Sequence, residues 1–379
     1  MCEGEKRVLV VFGTRPEAIK MAPVVKELEG APLDFAVCVT AQQREMLDQV
    51  LALFQIEPDY DLDVMQQDQS LSALSVSILE GLQRVIADYK PALILVHGDT
   101  ATCAMSSLAA FYNRVPIAHV EAGLRTYDLA SPWPEEFNRQ LVGRIAELNF
   151  APTKHAADNL ISEGVSREQV FVTGNTVIDA LHLCLDALEL NEHIRVDAQK
   201  AIPSLCDVRK VILITGHRRE NFGGGFEEIC AAIAELANRE DLHFVYPVHL
   251  NPNVKQPVME YLGGLENVSL IDPLDYASFV LLMKHSFAIL TDSGGIQEEA
   301  PALGKPVLLM RDNTERPEAV EGGTVRLVGA NRESIVEGVI NLVDNSADYK
   351  AMASAINPYG DGTAAEKIVE VVVEWLGKC

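Results

Sequence analysis

The sequence predicts an α/β protein made of two Rossmann-like, parallel-sheet domains. Two observations predict this class. Short, nearly uncharged runs of aliphatic residues alternate with helical patterns, as in sheets covered by helices on both faces. The two halves also begin with the same pattern, in which the strands at 8–12 and 211–215 each lead through a glycine and a basic residue into a helix. We therefore expect the same doubly wound arrangement in both halves.

Six strands are predicted in each half. Those of the first half lie at 8–12, 35–39, 92–96, 116–120, 148–151 and 169–172. Those of the second half lie at 211–215, 243–247, 268–271, 288–291, 306–310 and 325–328. Helical patterns fill the intervals, among them 17–28, 100–112, 134–147 and 225–237.

The domain boundaries follow from the weakest pattern in the chain. Residues 191–208 carry little periodicity and include Pro203, which favours a connection there. We expect an N-terminal domain at 1–175, a helix and linker at 176–204, and a C-terminal domain at 205–363. The last helix, within 364–379, is expected to pack back on the first domain.

Composition excludes several functions. The 379 residues carry a formal net charge of −24, which disfavours non-specific binding to nucleic acids and anionic membranes. The seven cysteines are odd in number and form no Cys-x-x-Cys pair, which favours a reducing cytoplasm over a disulfide framework. No apolar run is long enough to predict a membrane span. We expect a cytoplasmic enzyme or binding protein.

Titratable residues follow five of the predicted strands, drawn from both halves. Ligands of open parallel sheets bind beyond the carboxyl ends of the strands, so we expect a site in a cleft between the two domains. From the residues alone, Asp99 fits a helix cap and Glu121 has no helix to cap. Glu135 lies in the first turn of a helix, where a surface pair with Arg139 is the ordinary interpretation.

A second group of residues suits phosphate and ribose. Ser293, Gly294 and Gly295 open a helix, where backbone N–H groups can approach phosphate oxygens, and Glu299 follows one turn later. Basic residues near the predicted strand ends indicate a diphosphate: Arg15, Lys20, Arg125, Arg139, His217, Arg218 and Arg219. Dinucleotide and Walker fingerprints are missing from the sequence, and no histidine pair has ligand spacing, so neither a cofactor nor a metal is expected.

Long motifs in order along the chain resemble the non-hydrolysing UDP-N-acetylglucosamine 2-epimerases of bacteria and archaea. The motifs are Phe12-Gly-Thr-Arg-Pro-Glu-Ala-Ile-Lys20, His97-Gly-Asp-Thr100, His119-Val-Glu-Ala-Gly-Leu-Arg-Thr126, Ser131-Pro-Trp-Pro-Glu-Glu-Phe-Asn-Arg139, Thr215-Gly-His-Arg-Arg-Glu-Asn-Phe222 and Thr291-Asp-Ser-Gly-Gly-Ile-Gln-Glu-Glu-Ala-Pro301. The resemblance implies the two-domain fold of GT-B glycosyltransferases, a homodimer, and the interconversion of UDP-GlcNAc and UDP-ManNAc for surface polysaccharides.

The resemblance also implies residue roles. It gives catalytic roles to Asp99, Glu121, Glu135 and His217. It gives substrate contacts to Arg15, Lys20, Arg139, Phe279, Ser293, Gly294, Gly295 and Glu299, with Phe279 near the uracil and Glu299 on the ribose diol. The implied route eliminates UDP to 2-acetamidoglucal and adds it back. Which carboxylate serves which face of the sugar stays open.

The sequence departs from the family pattern at one predicted site, and several alternative functions stay open. Gln43 stands where such members commonly have a histidine, and Asp68 stands near an expected arginine, which argues against activation by a second UDP-GlcNAc. The closest alternative is an epimerase of a modified UDP-sugar such as a UDP-uronic acid. A GT-B glycosyltransferase, a hydrolysing epimerase and a non-catalytic UDP-sugar sensor are the others.

Overall fold

A computed structural model of the protein describes residues 6–42, 44–66, 69–204, 209–216, 218, 221–314 and 316–378. The chain divides into two compact units. The N-terminal unit comprises Met1–Leu183 and Tyr359–Cys379, and the C-terminal unit comprises Cys184–Pro358. Each unit contains one sheet whose described strand pairs are all parallel, so the prediction of two parallel-sheet α/β domains is confirmed.

The sheet of the N-terminal unit has the described order β3-β2-β1-β4-β5-β6-β7. Its strands are β1 (Arg7–Phe12), β2 (Asp34–Val39), β3 (Tyr60–Asp61), β4 (Leu93–His97), β5 (Ile117–Val120), β6 (Leu148–Ala151) and β7 (Val170–Val172). Its helices are α1 (Arg15–Glu29), α2 (Arg44–Leu53), α3 (Leu71–Tyr89), α4 (Ala101–Tyr112), α5 (Glu135–Ile145), α6 (Lys154–Ser162) and the terminal α16 (Ala364–Lys378). Helix α16 packs against α1.

Residues 176–204, where the sequence indicated a helix and linker, are mostly helical. They form α7 (Thr176–Leu190) and α8 (Glu192–Ala201). The sequence boundary between the two units falls within α7. Asn191 caps α8, because its side chain accepts hydrogen bonds from the backbone N–H groups of His193 and Ile194.

The sheet of the C-terminal unit has the described order β10-β9-β8-β11-β12-β13. Its strands are β8 (Lys210–Thr215), β9 (Leu242–Pro247), β10 (Val268–Ile271), β11 (Ala288–Thr291), β12 (Val307–Leu309) and β13 (Val325–Leu327). The remaining helices are α9 (Gly224–Leu236), α10 (Pro252–Leu262), α11 (Tyr276–His285), α12 (Ile296–Ala302), α13 (Pro317–Glu321), α14 (Arg332–Asp344) and α15 (Ser346–Ala353).

The central strands are apolar because helices cover both faces of each sheet. Every residue of β1 from Val8 to Phe12 is fully buried, and Ile212 to Ile214 of β8 are nearly so. Among the described helices, none combines the length and hydropathy that crossing a membrane requires.

Candidate active site

In the N-terminal unit, the strand order places β1, β4 and β5 side by side. Because these strands are parallel, the segments that follow their carboxyl ends lie at one edge of the sheet. His97 is the last residue of β4, and the segments that follow the three strands carry Lys20, Asp99 and Glu121. The topology thus brings together groups that are separated by up to 101 residues along the chain.

Glu121 is the centre of this group. It directly follows β5 and has a φ of +64°, a left-handed conformation that a residue with a side chain rarely adopts. Its Oε2 atom forms an ion pair with Lys20 Nζ and lies 2.9 Å from His97 Nε2. All three side chains are at most 12% exposed.

These contacts decide the charge of Glu121. Burial by itself would raise the pKa of the carboxyl group, but Lys20 and His97 outweigh it and hold the pKa of Glu121 well below its usual range. Both partners contact Oε2, whereas Oε1 has no hydrogen bond to any residue that the structure describes. The carboxylate therefore has one anchored oxygen and one that can accept a proton from a ligand.

Asp99 is held by a second set of contacts. Arg139 Nε donates to Asp99 Oδ2 at 2.8 Å, and the Asn138 side chain donates to the backbone carbonyl of Asp99 at 2.7 Å. Asp99 does not cap α4, because the Thr100 side chain accepts the hydrogen bond from Cys103 N. The capping interpretation of Asp99 is therefore wrong, and its partly exposed carboxylate is paired with an arginine.

Arg139 joins Asp99 to a buried carboxylate. Its Nη1 atom donates to Glu136 Oε2 at 3.0 Å, and Glu136 also accepts from the backbone N–H groups of Thr126 and Tyr127. Burial would lower the pKa of Arg139, but Asp99 and Glu136 raise it overall, so the arginine stays charged. The expected Arg139 pair with Glu135 is wrong, because the guanidinium group of Arg139 pairs with Asp99 and Glu136 instead.

Glu135 has a different environment. It is the first residue of α5 and is partly exposed. Its carboxylate has no hydrogen bond or ion pair within the described part of the chain. It is therefore available to a ligand.

Two buried residues hold the turns around Arg15 and Asp99. Glu17 accepts hydrogen bonds from Gly13 N, Thr14 N and the Thr100 hydroxyl, so it ties the start of α1 to the start of α4. Burial raises the pKa of Glu17. His119 Nε2 lies 2.7 Å from the Gly98 carbonyl, and burial lowers the pKa of His119 to about 4, so it donates as a neutral imidazole.

In the C-terminal unit, neighbouring strands β8 and β11 end in a threonine pair. Thr215 Oγ1 and Thr291 Oγ1 lie 2.5 Å apart, and Thr291 Oγ1 also accepts from Ser293 N at 2.9 Å. The buried Asp292 accepts from Arg218 N at 2.9 Å. These bonds fix the turn that carries Ser293, Gly294 and Gly295.

Glu299 lies one turn into α12 and is 8% exposed. Its Oε1 atom accepts a hydrogen bond from the Tyr276 hydroxyl at 2.8 Å. Tyr276 is the first residue of α11, and Phe279 lies one turn later on the same helix. The residues that are predicted to contact the ribose and the uracil thus lie on two helices of this unit.

Other predicted basic residues fall outside this arrangement. Arg125 forms a two-point ion pair with Glu163, at 2.7 and 2.9 Å, and its side chain is fully buried. Its predicted role in a diphosphate group is therefore wrong, since no donor face is left for a ligand. His217, Arg219, Gln43 and Asp68 lie outside the described residues.

Comparison with known proteins decides the family. A family profile described as UDP-N-acetylglucosamine 2-epimerase matches residues 26–373. The chain belongs to the UDP-N-acetylglucosamine 2-epimerase family. It is 57% identical over 368 residues to the Escherichia coli UDP-N-acetylglucosamine 2-epimerase, covering 97% of this chain and 98% of that protein. It is therefore an isomerase.

Solved structures of this epimerase family agree in fold. The Neisseria meningitidis UDP-GlcNAc 2-epimerase, solved bound to UDP-GlcNAc, is 52% identical with a TM-score of 0.91, covering 97% of this chain and 100% of that one. The Methanocaldococcus jannaschii enzyme, solved with UDP-GlcNAc and UDP, is 32% identical with a TM-score of 0.81, covering 97% and 99%.

Two side chains that contact the candidate site residues were given no site role from the sequence. His97 is among the titratable residues that follow a predicted strand, which is a signal of a ligand-facing group, but no role was assigned to it. Tyr276 gave no such signal, because a tyrosine at the start of a helix is ordinary and its contact with Glu299 joins residues 23 positions apart.

Proposed function

We propose that this epimerase interconverts UDP-GlcNAc and UDP-ManNAc by elimination and re-addition of UDP. One carboxylate takes the C2 proton, the electron pair of the C–H bond forms the C1–C2 double bond, and the C1–O bond breaks with its electrons on UDP. In the return step, the UDP oxygen attacks C1 and an acid on the other face protonates C2. The substrate class is supported by the relatives solved with UDP-GlcNAc.

The observation that carries this proposal is the anchored, deprotonated Glu121. The C2 proton has no adjacent carbonyl and is weakly acidic, so its removal demands a positioned base. We propose that Asp99 and one of Glu121 and Glu135 exchange this proton. The contacts of Glu121 with Lys20 and His97 favour the proton-accepting role.

The leaving diphosphate needs positive charge as it departs. Arg15 is the first residue of α1, where the helix dipole adds to the guanidinium charge. We propose that Arg15 and His217 stabilise the diphosphate, while Ser293, Gly294 and Gly295 donate to it. Glu299 and Phe279 then hold the ribose and uracil.

Deuterium exchange tests the route. With UDP-GlcNAc in heavy water, NMR is expected to show deuterium at C2 together with UDP-ManNAc. Asp99→Asn should slow this exchange by about 100-fold or more, the usual contribution of a general acid or base. Asp158→Asn, a change at an exposed residue of α6, is the control. Full exchange in Asp99→Asn would remove Asp99 from the mechanism, and conversion without deuterium would exclude the elimination.

We also propose that the enzyme is a homodimer in the cytoplasm that supplies a polysaccharide precursor. The family resemblance supports this. Sedimentation equilibrium tests the dimer, and a monomer at micromolar concentration would contradict it.

A further inference from the structure

We infer that Tyr276 is a positioning residue that sets the ribose specificity of the nucleotide site through Glu299. The inference rests on the proposed function, in which Glu299 holds the ribose diol. It assigns to the Tyr276 hydroxyl the task of fixing one carboxylate oxygen so that the other meets the ribose.

The two oxygens of Glu299 have different surroundings. Oε1 accepts from the Tyr276 hydroxyl at 2.8 Å. Oε2 lies on the side of Gly295, where a Cβ built on that glycine would come within 3.8 Å of it and would meet no other atom within 4 Å. The second oxygen therefore lies beside the Ser293-Gly294-Gly295 turn, which is proposed to hold the nucleotide.

Both partners are well placed for such a role. Tyr276 is 6% exposed and Glu299 is 8% exposed, so bulk water competes little with their hydrogen bond. Tyr276 is also held at its backbone, since it begins α11 directly after the N-cap Asp275, whose side chain accepts from Ser278 N. A rigid donor restricts the carboxylate to one orientation, which is what selective recognition of a diol requires.

Helix α11 gives this hydroxyl a direct link to the base-binding residue. Tyr276 and Phe279 are three positions apart, so they lie on the same face of the helix. One helix would then fix the carboxylate for the ribose and supply the ring for the uracil. A change at Tyr276 should therefore affect recognition of the nucleoside and leave the chemistry at C2 intact.

The test compares the dissociation constants of UDP and 2′-deoxy-UDP for the full-length protein by calorimetry. For the unmodified protein we expect UDP to bind about 10- to 100-fold more tightly, the range for a hydrogen bond to a charged group. In Tyr276→Phe this ratio should fall to about threefold or less, because Glu299 loses the hydrogen bond from the Tyr276 hydroxyl that orients it. Tyr276→His, which keeps a ring donor, should restore part of the ratio.

Two further variants make the outcomes distinct. Tyr349→Phe is the matched control, since it removes a tyrosine hydroxyl that bonds the Phe287 carbonyl at 3.2 Å in the same unit, and it should leave the ratio unchanged. Glu299→Gln tests the underlying assignment, and it should collapse the ratio as Tyr276→Phe does.

Equal weakening of both ligands in Tyr276→Phe, with an unchanged ratio, would show a merely structural tyrosine and overturn the inference while the proposed function stands. An unchanged ratio in Glu299→Gln would instead overturn the ribose assignment itself, and the inference with it. If Tyr276→Phe does not fold, the preference of Tyr276→His for UDP over 2′-deoxy-UDP is the test instead. A preference as low as that of Glu299→Gln would then count against the inference.

Discussion

Glu121 in the N-terminal unit and Glu299 in the C-terminal unit are both largely buried carboxylates near the carboxyl end of a parallel sheet, and different kinds of donor contact them. Glu121 contacts the ammonium group of Lys20 and the imidazole of His97. Glu299 accepts from the neutral hydroxyl of Tyr276. Lys20 and His97 hold the charge of Glu121, and we infer that Tyr276 sets the direction of the Glu299 carboxylate.

This difference matches the roles proposed for the two residues, proton transfer for Glu121 and nucleotide binding for Glu299. A base that takes a proton from carbon must be deprotonated at the working pH, and cationic neighbours achieve this even under burial. A carboxylate that recognises a diol by hydrogen bonds needs a fixed orientation more than an altered pKa. A neutral hydrogen-bond donor is enough to fix that orientation. The two units should therefore respond differently to matched substitutions.

The largest expected effect is on turnover. Glu121→Gln keeps the shape of the side chain and removes the proton acceptor, so kcat should fall by about 10²- to 10⁴-fold with little change in UDP affinity. Glu299→Gln should show the reverse, weaker UDP binding with a smaller loss of kcat. Steady-state kinetics and calorimetry measure both. Turnover within tenfold of normal in Glu121→Gln would contradict the role proposed for Glu121.

A matched glycine pair sharpens the comparison. In Gly13→Ala the new methyl group would lie 1.9 Å from Thr40 Oγ1 and 2.4 Å from Thr102 Oγ1, so the unfolding free energy should fall by about 1–3 kcal/mol. In Gly295→Ala the methyl group would make only an ordinary contact, with Glu299 Oε2 at 3.8 Å, so stability should hold while UDP binding weakens.

Urea unfolding and UDP titration measure the two outcomes. Gly30→Ala is the control for the N-terminal unit, since its new methyl group would meet only the Glu27 carbonyl, at 3.7 Å. Strong loss of stability in Gly295→Ala, or none in Gly13→Ala, would reverse the expected contrast.

The smallest expected effect is a shift in pH dependence. Lys20 lowers the pKa of Glu121, so Lys20→Met should raise that pKa. Activity requires the carboxylate, and the acidic limb of the kcat/KM profile should therefore move to higher pH. Lys26→Met, on the same helix but paired with Glu29 at the surface, should leave the limb in place. A limb that stays fixed in Lys20→Met would show that Glu121 is not the group that titrates.

Most of the fold could be predicted because strand and helix signals are local. The predicted strands agree with the observed ones to within one or two residues, as at 8–12 against Arg7–Phe12. The short strand Tyr60–Asp61 was missed, since two residues at a sheet edge carry no hydrophobic run. The site was harder: Arg125 and the Glu135–Arg139 pair were both misjudged, because charges in the sequence do not reveal their partners.

The sequence by itself determined the fold class, the family and which carboxylates stand at the ends of strands, because hydrophobic periodicity and ordered motifs are properties of the chain. Only the tertiary structure decided what each carboxylate contacts. Glu121 receives Lys20 from α1 and His97 from the end of β4, and Glu299 receives Tyr276 from α11. These partners meet through parallel crossovers that bring distant segments to one sheet edge, where Lys20 and His97 hold the pKa of Glu121 low.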